Sequence, residues 1–170
     1  MREPGGTQTG ENIRNWLAEE TTELDAYAEL FLFSAARITL IKQKIIPSFR
    51  ENKVVILDRY IYSTIAYQGF ARGLSREVIN YLNEIATGGI IPDKVFLLDI
   101  SPELSFKRKK GDTLDRWESE KLDFHNKVRE GYLALSEENP NRWQVLDATA
   151  SEQETHNLVW RSLRKLLPLA

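Results

Sequence analysis

Cysteine is absent from the 170-residue sequence, which removes disulfides, thiolate metal sites and cysteine nucleophiles from consideration. No apolar run reaches the roughly eighteen residues that cross a bilayer. The opening Met1-Arg2-Glu3-Pro4-Gly5-Gly6 lacks the apolar stretch of a secretory signal. These absences lead us to expect a cytoplasmic protein with no membrane partner. An excess of positive charge is missing as well: 23 Lys and Arg stand against 25 Asp and Glu, a net charge of −2. A basic face of the kind that holds nucleic acid is therefore not expected. Repeats, low-complexity tracts and linkers are lacking too. What is present is an ordinary globular mix, 42% hydrophobic and 28% charged, in a length that suits one domain over residues 1–170.

Hydrophobic periodicity divides the chain into helical and strand-like runs. Residues 10–18 read as a short helix and 26–51 as a long one, in which Leu30, Phe33, Arg37, Leu40 and Ile41 recur at three- and four-residue steps. Pro47 is expected to kink that helix or end its regular part. Lys53–Asp58, Lys94–Ile100 and Trp143–Asp147 are short apolar runs that read as buried strands, and each carries an aspartate at or near its end. Ser75 is placed to cap a helix that Gly88-Gly89 stops, and Ser101 to cap another with Pro102 in its first turn and Gly111 beyond its basic end. Residues 119–138 form a long amphipathic pattern, and Ser151-Glu152-Gln153-Glu154 has capping-box spacing. Strands alternating with helices imply an α/β fold with a parallel sheet flanked by helices. Ligands bind such sheets at the carboxyl ends of the strands, which puts Asp58 and the residues after it in the expected site.

Asp58 and Arg59 supply a carboxylate able to hold a magnesium ion through water and a guanidinium able to fork onto a phosphate. A plain surface ion pair at a strand end is the alternative reading. Ser63, Thr64, Tyr67 and Gln68 follow within ten residues of Asp58, and their hydroxyls, amide and ring suit recognition of a nucleoside. Phe33 and Arg37 lie four apart on one helix face. Phe33 alone reads as core, but a charge sharing its face calls for a partner. The cluster Lys107-Arg108-Lys109-Lys110 is either a solvated helix end or a phosphate contact.

Seven motifs, Arg2–Thr7, Phe33–Arg37, Asp58–Ser63, Ala66–Gly69, Ala86–Gly89, Pro92-Asp93 and Leu114–Glu118, together resemble those of bacterial thymidylate kinases, in the same order and at the same spacing. The resemblance covers essentially the whole chain. It implies a P-loop nucleoside-monophosphate-kinase-like fold, and transfer of the γ-phosphoryl of ATP to dTMP to give dTDP. It implies that Phe33 stacks on thymine and that Arg37 bonds a ring carbonyl, with Ser63, Thr64 and Gln68 near the base edge. Tyr67 is implied to lie against the deoxyribose and to disfavour a 2′-hydroxyl. Arg14 and Arg59, assisted by Arg2, are implied to grip the acceptor phosphate, and Asp58 to place Mg2+. Residues 108–120 resemble the lid, from which Arg116, and with it Arg108, reach the ATP phosphates. Asp147-Ala148-Thr149 fall where such proteins approach adenine, and a homodimer packed through helices is implied.

No Gly-x-x-x-x-Gly-Lys-Ser/Thr run occurs in the sequence. By the family pattern, roughly thirty to forty residues carrying the first strand, the P-loop and most of a second strand precede Arg2 in a complete enzyme. We therefore expect little turnover from the 170 residues alone. A deoxynucleoside kinase and a non-catalytic dTMP-binding protein are the alternative readings. The first needs a carboxylate to activate a hydroxyl, where a monophosphate kinase needs cations such as Arg14 and Arg59.

Overall fold

Thr7 starts the first helix, two residues earlier than periodicity alone suggests. Its Oγ1 accepts the Gly10 amide at 2.9 Å, one of the otherwise unpaired donors of a helix start, and α1 runs over Gln8–Ala18. The computed structural model describes residues 1–19, 24–108 and 120–167. Asp25 caps α2 (Ala26–Leu40) through the Tyr27 amide at 2.8 Å. The helical path then continues through a π-helical stretch, π1 (Ile41–Ile45), into α3 (Ile46–Arg50). This is how the chain accommodates Pro47: its ring has no N–H to give and crowds the carbonyl a turn back. Just upstream the ladder widens, with the Ile46 amide bonded to the Ile41 carbonyl.

Residues 53–58 are not a strand, contrary to the expectation from sequence. They are extended and touch the chain start through one parallel bridge, Arg2 with Asp58. The Asp58 amide donates to Met1 O at 2.8 Å and the Glu3 amide to Asp58 O at 2.9 Å. The period of two survives: Val55 and Leu57 pack against an apolar cluster, while Val54 and Ile56 are exposed. A buried strand needs a ladder and cover on both faces. Among the described residues this run has a three-residue partner and cover on one face.

The other two runs are strands. β1 (Val95–Asp99) and β2 (Trp143–Asp147) pair in parallel from Val95 opposite Trp143 to Asp99 opposite Asp147. Between the residue-58 corner and β1 come α4 (Ile61–Thr64), a second π-helical stretch π2 (Ile65–Ala71), and α5 (Arg76–Thr87). Ser75 caps α5 through the Val78 amide, and Gly88 ends it in the left-handed conformation at φ 60°. The crossover from β1 to β2 carries α6 (Pro102–Arg108) and α7 (Leu122–Glu138), the latter beginning three residues beyond the expected 119. The expected capping box opens α8 (Glu152–Leu166).

The main core cluster joins five elements: Leu30 of α2, Ile65 of π2, Ile79 of α5, Leu135 of α7 and Trp143 of β2. A second gathers Leu40, Ile41, Ile45, Tyr60 and Ile61, directly beneath the Asp58-Arg59 corner. That corner is therefore anchored from below by apolar packing while its polar groups stay accessible. Ile79 is fully buried, so Ile79→Ala is expected to cost about 2–5 kcal/mol. Urea unfolding should show this as a lower midpoint at unchanged slope.

Candidate active site

The segment from Arg2 to Gly6 wraps tightly over the start of α1. Gly5 has φ 140°, and a Cβ there would stand 2.8 Å from Glu11 Oε1 and 3.1 Å from Arg2 Nε, so no side chain fits. The Glu11 carboxylate takes the Gly6 amide at 2.9 Å and Arg2 Nη2 at 2.7 Å. These two bonds hold the Glu11 carboxyl below the usual carboxylate range. Arg14 comes up from α1 and donates Nη1 to the Pro4 carbonyl at 3.4 Å. This segment is bonded through its backbone to Asp58, so the chain start that carries Arg2 and meets Arg14 is tied to the Asp58-Arg59 corner.

The face of α2 bearing Glu29, Phe33 and Arg37, each four residues apart, lies against α4 and π2. At one end Gln68 Nε2 donates to Glu29 Oε1 at 2.6 Å. At the other, Arg37 Nη2 donates to Thr64 Oγ1 at 2.7 Å. Thr64 and Gln68 are themselves four apart, so the two antiparallel segments form a pair of polar rungs with half-buried Phe33 between them. Arg37 is 1% exposed. Its Nε bonds Glu3 Oε1 at 2.8 Å, Nη2 also bonds that oxygen, and Nη1 bonds Asn83 Oδ1. Four of its five N–H groups are thus taken by protein, and among the described residues one on Nη1 is left. Asn83 in turn donates to the Ile61 carbonyl. The arginine that the resemblance implies to bond a base carbonyl also braces α2, α4, α5 and the first loop.

Arg59 follows Asp58 with φ 64°, a left-handed conformation uncommon for a residue with a side chain. Its guanidinium lies 5.0 Å over the Tyr67 ring, a cation–π distance. Partial desolvation works against the Arg59 charge, but the Tyr67 and Tyr132 oxygens and Asp58 outweigh it and raise its pKa. Ser63 Oγ and Tyr132 Oη are 2.6 Å apart. Burial pushes the Tyr132 phenol up to about 12, against the pull of Arg59. Tyr67 also meets Phe124 and Tyr132 edge-on. Arg59, Ser63 and Tyr67 therefore form one aromatic-walled, cationic corner with α7.

Farther along the edge, Arg129 forks onto Asp99 at 2.7 and 2.8 Å. The Asp99 carboxyl is held below its ordinary value by that pairing. Arg108 Nη1 donates to the Ala148 carbonyl at 2.8 Å, so it braces the loop after β2. Arg116 and most of the expected lid, 109–119, lie outside the described residues. Groups of three or more His, Cys, Asp or Glu able to hold a metal are not found among the described residues. Exposed Asp58 stands as a single carboxylate, which suits Mg2+, an ion that keeps most of its water and takes one or two carboxylates plus phosphate oxygens.

Sequence reading missed Glu29, Asn83, Tyr132 and Arg129 as parts of the site, and did not separate Glu3 from its motif. Only Arg37, a charge on an apolar face, signalled that polar partners must be near. Nothing in spacing said which, because Glu3 and Asn83 are 34 and 46 residues away.

Among the described residues, buried Glu3 Oε2 has no hydrogen-bond partner. Burial pushes the Glu3 carboxyl above its ordinary 4.5, against the opposing pull of Arg37. The native state therefore keeps a proton at pH values where the unfolded chain has released it, and this group's contribution to stability falls as pH rises through that window. Glu3→Gln removes that contribution. Urea midpoints measured from about pH 4.5 to about pH 7 should decline more in the wild type than in the variant. Parallel profiles would refute the assignment.

The sequence profile of the family described as "Thymidylate kinase" matches residues 1–159. The thymidylate kinase of Thermoanaerobacter sp. (strain X514) is 41% identical over 167 residues, covering 98% of this chain and 82% of that protein. That of Sulfurihydrogenibium sp. (strain YO3AOP1) is 42% identical over 165 residues, covering 96% and 80%. Among solved structures, the thymidylate kinase from Ehrlichia chaffeensis superposes with a TM-score of 0.78 at 31% identity, over 96% of this chain and 79% of that one. The fold is accordingly the P-loop kinase-like α/β fold, with a helix-rich body and a small parallel sheet. A profile match over nearly the whole length, and relatives above 40% identity over almost all of it, place the chain in the thymidylate kinase family.

Proposed function

We propose that this protein is the dTMP-binding, phosphoryl-transferring body of a thymidylate kinase, with ATP as donor and dTDP as product. The observation that supports this best is the seat around Phe33. An aromatic ring lies between two polar rungs, Glu29–Gln68 and Arg37–Thr64, with cationic Arg59 just beyond. A pyrimidine stacked on Phe33 has Gln68 and the spare Arg37 donor at its edge. Tyr67 stands by the sugar, and Arg59, Arg14 and Arg2 are available to the acceptor phosphate. Those three cations favour a monophosphate over a nucleoside acceptor. Asp58 would hold Mg2+ through water, and the ion would supply positive charge against the phosphates. Arg116 and Arg108 would answer the charge on the transferred group. The absence of cysteine suits the cytoplasm.

Titration calorimetry on the 170-residue chain tests the acceptor site. dTMP should bind more tightly than thymidine, dCMP or dAMP. Arg59→Ala should weaken dTMP by about 10–100-fold, the worth of a charge-assisted bond, and leave thymidine nearly unchanged. Equal affinity for all four would defeat the proposal. Coupled ADP release should be slow with this chain, which has no Gly-x-x-x-x-Gly-Lys-Ser/Thr run to cradle the donor phosphates.

We also propose a homodimer packed through helices. Tyr27 and Phe31 lie one turn apart on α2, and Tyr81 and Ile85 one turn apart on α5, all exposed and apolar. Sedimentation velocity should give a dimer that Phe31→Glu dissociates; a wild-type monomer at tens of micromolar would exclude it.

A further inference from the structure

Glu29 is given no contact with substrate above, yet it is a 1% exposed carboxylate in the first turn of α2. Gln68, also 1% exposed, donates its Nε2 to Glu29 Oε1 at 2.6 Å. On the other side Arg72 Nη2 stands 3.8 Å from Glu29 Oε2. Arg72 is itself held by Glu120 at 2.7 Å and by the Phe124 ring, 4.7 Å from its guanidinium carbon.

An ionised carboxylate only accepts hydrogen bonds. Turning the Gln68 amide over would set its carbonyl oxygen against Glu29 Oε1, two acceptors at contact distance in a buried site. Glu29 therefore fixes which end of the amide faces inward, and leaves the Gln68 Oε1 acceptor for whatever lies over Phe33. Arg72 keeps the carboxylate paired, so the arrangement persists without a ligand.

We infer that Glu29 is a positioning residue that sets pyrimidine specificity by locking the Gln68 amide with its acceptor toward the base. This rests on the proposed seat of thymine on Phe33. Thymine presents an N3–H, which an acceptor welcomes. Cytosine presents a bare N3, which leaves two acceptors facing each other. Replacing Glu29 by glutamine removes the lock, because an amide both donates and accepts and Gln68 is then able to turn and donate to cytosine N3.

The test is calorimetry on the full 170-residue chain with dTMP and 5-methyl-dCMP, which share the methyl group, sugar and phosphate. The wild type should prefer dTMP. Glu29→Gln should reduce that preference at least tenfold, with 5-methyl-dCMP binding more tightly than it does to the wild type. Glu29→Asp, still an acceptor only, should retain the preference. A merely structural role would weaken both ligands together, and that result overturns the inference. Should Glu29→Gln fail to fold, Gln68→Met carries the test: an unchanged ratio overturns the inference, and a tenfold smaller one supports it. Absence of any dTMP preference in the wild type would instead sink the proposed function.

Discussion

The buried guanidinium of Arg37 is the constraint on which the rest of the site depends. Taking that charge out of water is expensive unless its donors are nearly all met. Meeting them requires four separate pieces of chain: α2 for Arg37 itself, the first loop for Glu3, α4 for Thr64 and α5 for Asn83. Once these converge, Phe33 is held one turn from Arg37 facing the same segment, and Asp58 is tied through the Glu3 backbone to the same knot. The positions of Phe33 and of the Asp58-Arg59 corner are therefore not independent, because both are fixed by the same buried cluster.

Around this knot, the polar groups fall into two classes with different physical characters. Arg37, Glu3, Glu29, Gln68 and Asn83 are buried and spend their hydrogen bonds on one another. Arg2, Arg14, Asp58 and Arg59 keep accessible surface around the bridge between the chain start and residue 58. The first class braces the packed elements, and the second presents charge at the surface. A left-handed backbone at Arg59 belongs to this division, because it turns the side chain away from the strand direction and over Tyr67.

The two strand runs 94–100 and 143–147 and the caps at Ser75 and Ser151 follow from local chemistry, and the structure repeats them nearly residue for residue. The strand reading of residues 53–58 does not carry over. A β-branched run reports a tendency to be extended, and only a neighbour on each side makes it a ladder. Likewise, Pro47 announced an interruption, but whether the helix would end, kink or widen depended on the cluster beneath it, where Ile41 and Ile45 are buried.

By itself the sequence determined the alternation of elements, the helix ends, and the presence of a cationic, hydroxyl-rich segment after residue 58. These are properties of neighbouring residues, and neighbouring residues are what a linear reading measures. Only the tertiary structure decided that Arg37 faces Glu3 and Asn83, that Gln68 is oriented by Glu29, and that Tyr132 and Arg129 join the site from α7. Those pairings join residues 30 to 69 positions apart. The partner of a buried charge is chosen by which elements pack together, and no local spacing encodes that choice.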